Sequence, residues 1–315
     1  MRTDVSFDSA GLPLAGHLYV PDGRADGPRP ALVVGHPGSG VKEQASGLYA
    51  RRLADQGFVT LAYDSAYQGE SGGEPRGLED PAHRVEDIKA AASFLATCSE
   101  VDGERIGALG ICASGGYVLS ATASDHRIKA VGTVSAVDMA RHFRHGGDGS
   151  HDPAIFQGML DAAAAARNAE ARGVEPGVLR LFPDTIEQAR ELGGDYGAEG
   201  FEYYCTPRAQ HPRSMKEMAW KSIDKMATFD AFAPVPLIGP RPLLVVVATR
   251  AVTSWMSIDA FQRAIGPKEV YWVDGASHND LYDKPQYVDP TVDKLASFFT
   301  AALRATLVEA AAAAA

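Results

Sequence analysis

The sequence predicts an α/β fold: a doubly wound, mostly parallel sheet that carries one long helical insertion. Three observations predict it. From Ala31 onwards short apolar runs alternate with helical patterns, as strands buried on both faces by crossover helices do. Between about Met139 and Phe232 the alternation breaks, and the sequence becomes mainly helical with no buried-strand run. Two more strand–helix units then follow. The expected organisation is a core of residues 1–138 and 233–309, a helical cap insertion at 139–232 and a tail at 310–315.

Each element follows from its residues. VSFDS and AGHLYV, separated by the turn residues Gly11 and Pro13, read as a hairpin. ALVVG (31–35) is a third strand, and the Gly-rich HPGSG leads into a helix, QASGLYARRLADQG, that stops at Gly57. FVTLAYD is the fourth strand. Asp80 is placed to cap the helix that Pro81 opens. RIGALGI is the fifth strand and IKAVGTVSA the sixth. After the insertion come the seventh strand, PLLVVVA, a helix SIDAFQRAIG, the eighth strand EVYWVDG and a last helix, DKLASFFTAALRA.

The 315 residues are 45% hydrophobic and carry a net charge of −10, with the cations scattered. Such a balance excludes nucleic acid and anionic membrane as the main partner. The longest apolar runs fall far short of the roughly 20 residues of a membrane span, and MRTDVSFDSAGLPL lacks a basic start followed by an apolar core. Cys98, Cys112 and Cys205 are an odd, sparse set without metal-finger spacing, as suits a reducing compartment. The expected setting is the cytoplasm, with homodimer the default assembly.

The chemistry concentrates at Gly110-Ile111-Cys112-Ala113-Ser114-Gly115-Gly116, directly after a strand and opening a helix. Small residues two before and two after the central one permit the tight turn of a nucleophile elbow. The strand's apolar run ends at Ile111, which puts Cys112 on the elbow and Ser114 in the first helical turn. A helix N-terminus behind the sulfur is expected to lower the thiol pKa. His278, in DGASHND after the last strand, follows in the chain order of nucleophile and base. In His36-Pro37-Gly38-Ser39-Gly40 the Gly38 N–H, with that of Ala113, is the expected oxyanion donor. His36 and Glu43 from this loop, Tyr67 from YQGESGG and Trp255 after the seventh strand are the expected substrate contacts. The ordinary readings are a buried cysteine in a plain turn, a surface-loop histidine and an aromatic in the core.

HPGSGVKEQ, DSAYQGESGGEPR, GICASGGY and GASHNDLYDKP together resemble bacterial α/β-hydrolases of the dienelactone-hydrolase-like group over nearly the whole chain. The resemblance implies an α/β-hydrolase fold with a Cys–His–acid triad. It also implies cleavage or transfer of an ester, lactone or thioester acyl group, with a small acyl molecule as substrate and no cofactor. One departure stands out. The loop after the seventh strand, VVVATRAVTSWMSID, has no carboxylate from Val245 to Ile258, and Val252 stands where an Asp is expected. Asp138, beyond the sixth strand, is the substitute, with Asp259, Asp280 and Asp283 behind it; the alternative for Asp138 is a helix cap. His142, His145, Asp148, His151 and Asp152 lie in a Gly-rich stretch without the rigid spacing of a metal site, so no metal is expected. Besides hydrolysis, the same Cys–His pair fits an acyltransferase or cyclase, and the missing acid fits a non-catalytic binder.

Overall fold

The computed structural model describes residues 1–23 and 27–313, with side chains up to Arg304. Strands β1 (Arg2–Ser9) and β2 (Leu12–Tyr19) form the expected antiparallel hairpin. Then come β3 (Arg29–Gly35), α1 (Ala45–Asp55), β4 (Val59–Tyr63), α2 (Pro81–Thr97), β5 (Val101–Ile111), α3 (Ala113–Ser124) and β6 (Ile128–Val134). Asp80 caps α2, its Oδ1 accepting from the Ala82 N–H at 3.2 Å. The stretch after β6 contains α4 (Met139–His145), α5 (Pro153–Ala171), β7 (Val178–Arg180), α6 (Ile186–Cys205), β8 (Glu217–Ala219) and α7 (Lys221–Ala227). Strand β9 (Leu243–Ala248), α8 (Ser254–Arg263), β10 (Lys268–Val273), α9 (Asp280–Asp283) and α10 (Pro285–Ala313) complete the chain. The predicted tail at 310–315 runs past the described residues.

Eight strands form one sheet in the order β1-β2-β4-β3-β5-β6-β9-β10, and every pair from β4 to β10 is parallel. Strands β4 and β9 are buried along their whole length, as strands covered by helices on both faces must be. The edge strands β1 and β10 are largely exposed. One detail of the 139–232 stretch differs from expectation: Val178–Arg180 pairs with Glu217–Ala219 as a short antiparallel ribbon. Three-residue strands outside the main core carry no apolar run that a sequence pattern could register.

The order β4-β3-β5 contains the point where successive connections leave in opposite directions, and such sheets bind ligands beyond the carboxyl ends of their strands there. The carboxyl ends of β3 and β5 are in register, Gly35 opposite Gly110. No helix among the described residues is long and apolar enough to cross a membrane.

Candidate active site

Cys112 is the residue between β5 and α3, with φ 55° and ψ −117°. A non-glycine residue in this strained region is held there by its surroundings. The Cys112 N–H donates to the Val134 carbonyl at 3.0 Å, and its own carbonyl accepts from Gly115 and Val137. Gly110 is required for the turn, since a Cβ there would stand 2.1 Å from the Ser114 carbonyl oxygen. Ser114 lies in the first turn of α3 and points away, its hydroxyl donating to the His36 carbonyl at 2.5 Å. Of the two registers, the strained one belongs to Cys112.

Three groups converge on the sulfur: the backbone N–H groups of Ala113 and Gly38, which can donate to it, and the Tyr282 hydroxyl, which links it to His278. Burial nevertheless outweighs them and pushes the Cys112 thiol up from its ordinary value. The lowering expected from the helix N-terminus is therefore reversed. The desolvation of a buried thiolate costs more than two amides and one hydroxyl return.

His278 is buried at the start of the turn that leads into α9, and Tyr49 of α1 fastens that short helix by donating to the Leu281 carbonyl at 2.8 Å. The imidazole has two partners. Nε2 lies 2.9 Å from the Tyr282 hydroxyl, and Nδ1 lies 2.6 Å from Thr253 Oγ1. Burial, with a smaller contribution from His142, pushes its pKa down to about 3. Cysteine and histidine are thus both uncharged at neutral pH, with the phenol of Tyr282 between them.

The acid of a triad is not at this histidine. Asp138 caps α4, accepting from the Ala140 and Arg141 N–H groups at 2.9 and 3.2 Å, while its other oxygen accepts from Ala231 N–H at 3.0 Å. It is the capping alternative that the carboxylate fulfils. Asp259 pairs with Arg141, Asp280 with Lys284 and Asp283 with Arg208. The position facing Nδ1 belongs to Thr253.

A cavity of about 610 Å³ opens onto Cys112. Its wall joins Gly38, Cys112 and Tyr282 from the sheet's carboxyl end to His142 and Phe143 of α4 and Tyr196 and Tyr204 of α6. The Tyr196 ring meets His278 edge-on at 5.3 Å between centroids. Helix α6 is kinked at Gly193 and Gly194, both of which line the cavity.

The four expected substrate contacts lie behind this wall or away from it. His36 is fully buried: Nε2 accepts from the Ser65 N–H at 3.1 Å and faces Arg84 at 3.0 Å, so Nδ1 carries the proton and donates to the Pro37 carbonyl at 2.6 Å. Burial and the Arg84 charge keep the ring neutral. Glu43 is paired with Lys42 and Arg213, outside the cavity. Tyr67 packs on Gly73 and His83, outside the cavity. Trp255 donates from Nε1 to the Gly147 carbonyl at 2.9 Å and so braces a loop whose residues form the wall. Among the described residues no group of three or more His, Cys, Asp or Glu is gathered as a metal site would require.

Sequence reasoning missed Thr253, Tyr282, Tyr196 and Tyr204. Only Tyr282 left a signal, as it stands four residues after His278 where one helical turn brings side chains together.

Comparison with known proteins gives the same frame. The sequence profile of the dienelactone hydrolase family matches residues 14–137. The uncharacterised protein YcjY of Escherichia coli K12 is 41% identical over 307 residues, covering 95% of this chain and 98% of that protein. The crystal structure of the hypothetical protein PA2218 from Pseudomonas aeruginosa superposes with a TM-score of 0.89 at 36% identity, over 96% of this chain and 94% of that one. A protein named thiohydrolase apmlB, from Arthrinium phaeospermum, is 32% identical over 86% of this chain and 87% of its own length.

Proposed function

This chain belongs to the dienelactone hydrolase family of the α/β-hydrolase superfamily, and on that premise we propose that it cleaves acyl thioesters, and activated carboxylic esters or lactones, through a Cys112 acyl-enzyme. The observation that carries the reading is the convergence of the Gly38 and Ala113 N–H groups and the Tyr282 hydroxyl on one strained, buried sulfur.

In the acylation step the Cys112 S–H proton passes to the Tyr282 oxygen as the Tyr282 proton passes to His278 Nε2. The sulfur bonds to the acyl carbon, and the carbonyl electron pair moves to an oxygen held by Gly38 and Ala113 N–H. Collapse of this intermediate expels the leaving group, which recovers the proton from His278 through Tyr282. Water attacks the acyl-thioenzyme in the same geometry, releasing a carboxylic acid and restoring the thiol. The stretch between β6 and β9 acts as a cap that keeps this chemistry out of bulk water.

Thioesters suit the site best. A histidine without a carboxylate is a weak base and its proton is poorly stabilised. A thiolate leaving group, with an ordinary thiol pKa of about 8.5, departs without first taking a proton, whereas an alkoxide must be protonated as it leaves, and an imidazole of such low basicity seldom holds the proton to give. The similarity to a protein named thiohydrolase supports the same choice. The weak base also favours a second reading, acyl transfer: water is activated poorly, so an amine, thiol or alcohol in the cavity competes for the acyl group.

The test is a burst assay with p-nitrophenyl acetate on wild type and Cys112→Ala, followed by intact-mass measurement. A burst and an acyl adduct that both vanish in the variant support the assignment; an unchanged adduct overturns it and moves the nucleophile elsewhere. Product analysis with an added amine acceptor separates transfer from hydrolysis.

A further inference from the structure

We propose that Arg208, in the segment joining α6 to β8, is a positioning residue for the His278–Tyr282 pair, so that this segment takes part in catalysis without touching substrate; this rests on the reading of Cys112 as the nucleophile with His278 as its base.

Helix α9 has four residues, and a helix of one turn does not hold itself together. Its N-cap residue, Asn279, makes no side-chain capping bond. Yet this turn sets the spacing of the proton path, with His278 just before it and Tyr282 within it, the Nε2 atom 2.9 Å from the hydroxyl. Tyr49 fastens the turn from α1. Arg208 fastens it from the α6–β8 segment. Its Nη2 donates to the Asn279 carbonyl at 3.1 Å, while Nη2 and Nε donate to the two Asp283 carboxylate oxygens at 2.6 and 2.9 Å. Asn279 follows His278 and Asp283 follows Tyr282, so a single guanidinium grips the neighbour of each member of the pair. A bidentate fork fixes direction as well as distance. The guanidinium also lies over the Tyr203 ring, 5.7 Å from its centroid, and that ring meets Tyr282 edge-on at 5.0 Å between centroids.

The same segment reaches the other half of the site. Ser214 Oγ and the Met215 N–H donate to the Ser39 carbonyl at 2.8 and 3.2 Å, one residue beyond Gly38. Gln44 Nε2 donates to the Ala209 carbonyl at 2.7 Å. Residues 208–215 therefore contact both the loop of the proposed oxyanion donor and the turn that carries the base. A partly exposed ion pair contributes little stability by itself, so the weight of the Arg208 contacts lies in the geometry they enforce. Misplacing a reacting group by about 1 Å can cost about a hundredfold in rate. Arg208 is not among the residues lining the cavity, so it acts on substrate only through α9.

The experiment is a double-mutant cycle on the acylation burst with p-nitrophenyl acetate, using Arg208→Met and Tyr282→Phe. Arg208→Met should lower the saturating burst rate constant by about tenfold and leave the half-saturating concentration within about twofold. In the Tyr282→Phe background, where the phenol bridge is gone, the same substitution should cost less than about twofold. Arg167, paired with Asp224 in the same stretch between β6 and β9, is the control: Arg167→Met should leave the burst within about twofold of wild type. The same loss in both backgrounds, a rise in half-saturation at constant burst rate, an unaffected burst, or an equal loss in Arg167→Met overturns the proposal. If the wild-type adduct is absent, or survives in Cys112→Ala, the nucleophile reading fails instead, and the clamp is read without chemistry. Amide hydrogen exchange over residues 279–284 should then quicken by about tenfold in Arg208→Met while α3 exchanges as before. Unchanged exchange over that turn overturns the clamp as well.

Discussion

Thr253 Oγ1 stands 2.6 Å from His278 Nδ1, so a hydroxyl orients the histidine where a triad has a carboxylate. A hydroxyl fixes the ring and its tautomer but cannot balance the charge of an imidazolium. Cysteine and histidine therefore both rest uncharged, and in the proposed mechanism charge separates only as substrate is attacked.

Replacing Thr253 tests this directly. Thr253→Val removes the hydrogen bond while keeping the shape of a buried side chain, and should lower the acylation burst rate by about three- to tenfold. Thr253→Asp places a negative charge beside Nδ1 and should raise the histidine pKa, speeding the burst and bringing an acidic limb into its pH profile. Burst rates of both variants from pH 4 to 9 check the prediction. A faster Thr253→Val would mean that the hydroxyl restrains the ring rather than orients it.

The thiol itself should behave as a buried neutral group. Burial raises its pKa above the ordinary value, so thiolate at pH 7 is scarce in spite of the amides facing it. Alkylation of Cys112 by iodoacetamide, followed by peptide mapping, should therefore be slow at neutral pH. It should climb about tenfold per pH unit through pH 9 without a plateau. A plateau near pH 6 would reveal a thiolate–imidazolium pair instead.

Acid should unfold the protein through its buried histidines. His278 and His142 are pushed down to about 3 and about 4, and His36 also lies well below 6.5, in each case chiefly by burial. Below pH 6.5 the unfolded chain binds protons that these folded rings refuse, so stability falls as pH drops towards 3. The raised carboxyls of Asp87 and Asp138 act in the opposite direction, because they hold protons more tightly when folded. His278→Gln removes one refusing group. The loss of melting temperature between pH 7 and pH 4.5 should be smaller in that variant than in wild type.

The fold was legible because its evidence is local. Runs such as ALVVG and PLLVVVA can only be strands covered on both sides, and the β5–α3 turn announces itself by Gly110, Cys112 and Gly115 within six residues. The Cys112 register followed from where the apolar run ends. The acid was misjudged because the search admitted carboxylates only, and passed over Thr253 one residue beyond the empty position at Val252. Tyr196 and Tyr204 were out of reach for a different reason. They arrive from a helix about eighty residues further along, and only tertiary packing decides which side of α6 meets the cavity. His36, expected to touch substrate, proved to face inward.

That inward placement carries its own prediction. The Pro37 carbonyl that accepts from His36 Nδ1 belongs to the same peptide plane as the Gly38 N–H, so the ring sets the direction of the proposed oxyanion donor. Ser65 N–H, Arg84 and the fully buried ring hold that arrangement from below. His36→Phe keeps the volume but frees the peptide to rotate. It should lower kcat by about a hundredfold, the usual effect of losing one oxyanion donor, with KM nearly unchanged because the cavity wall is intact. It should also cost about 2 kcal/mol of stability, since the Ser65 N–H loses its acceptor in a buried place. Steady-state kinetics with a melting curve separate the two effects. A rise in KM at constant kcat would return His36 to the substrate contacts.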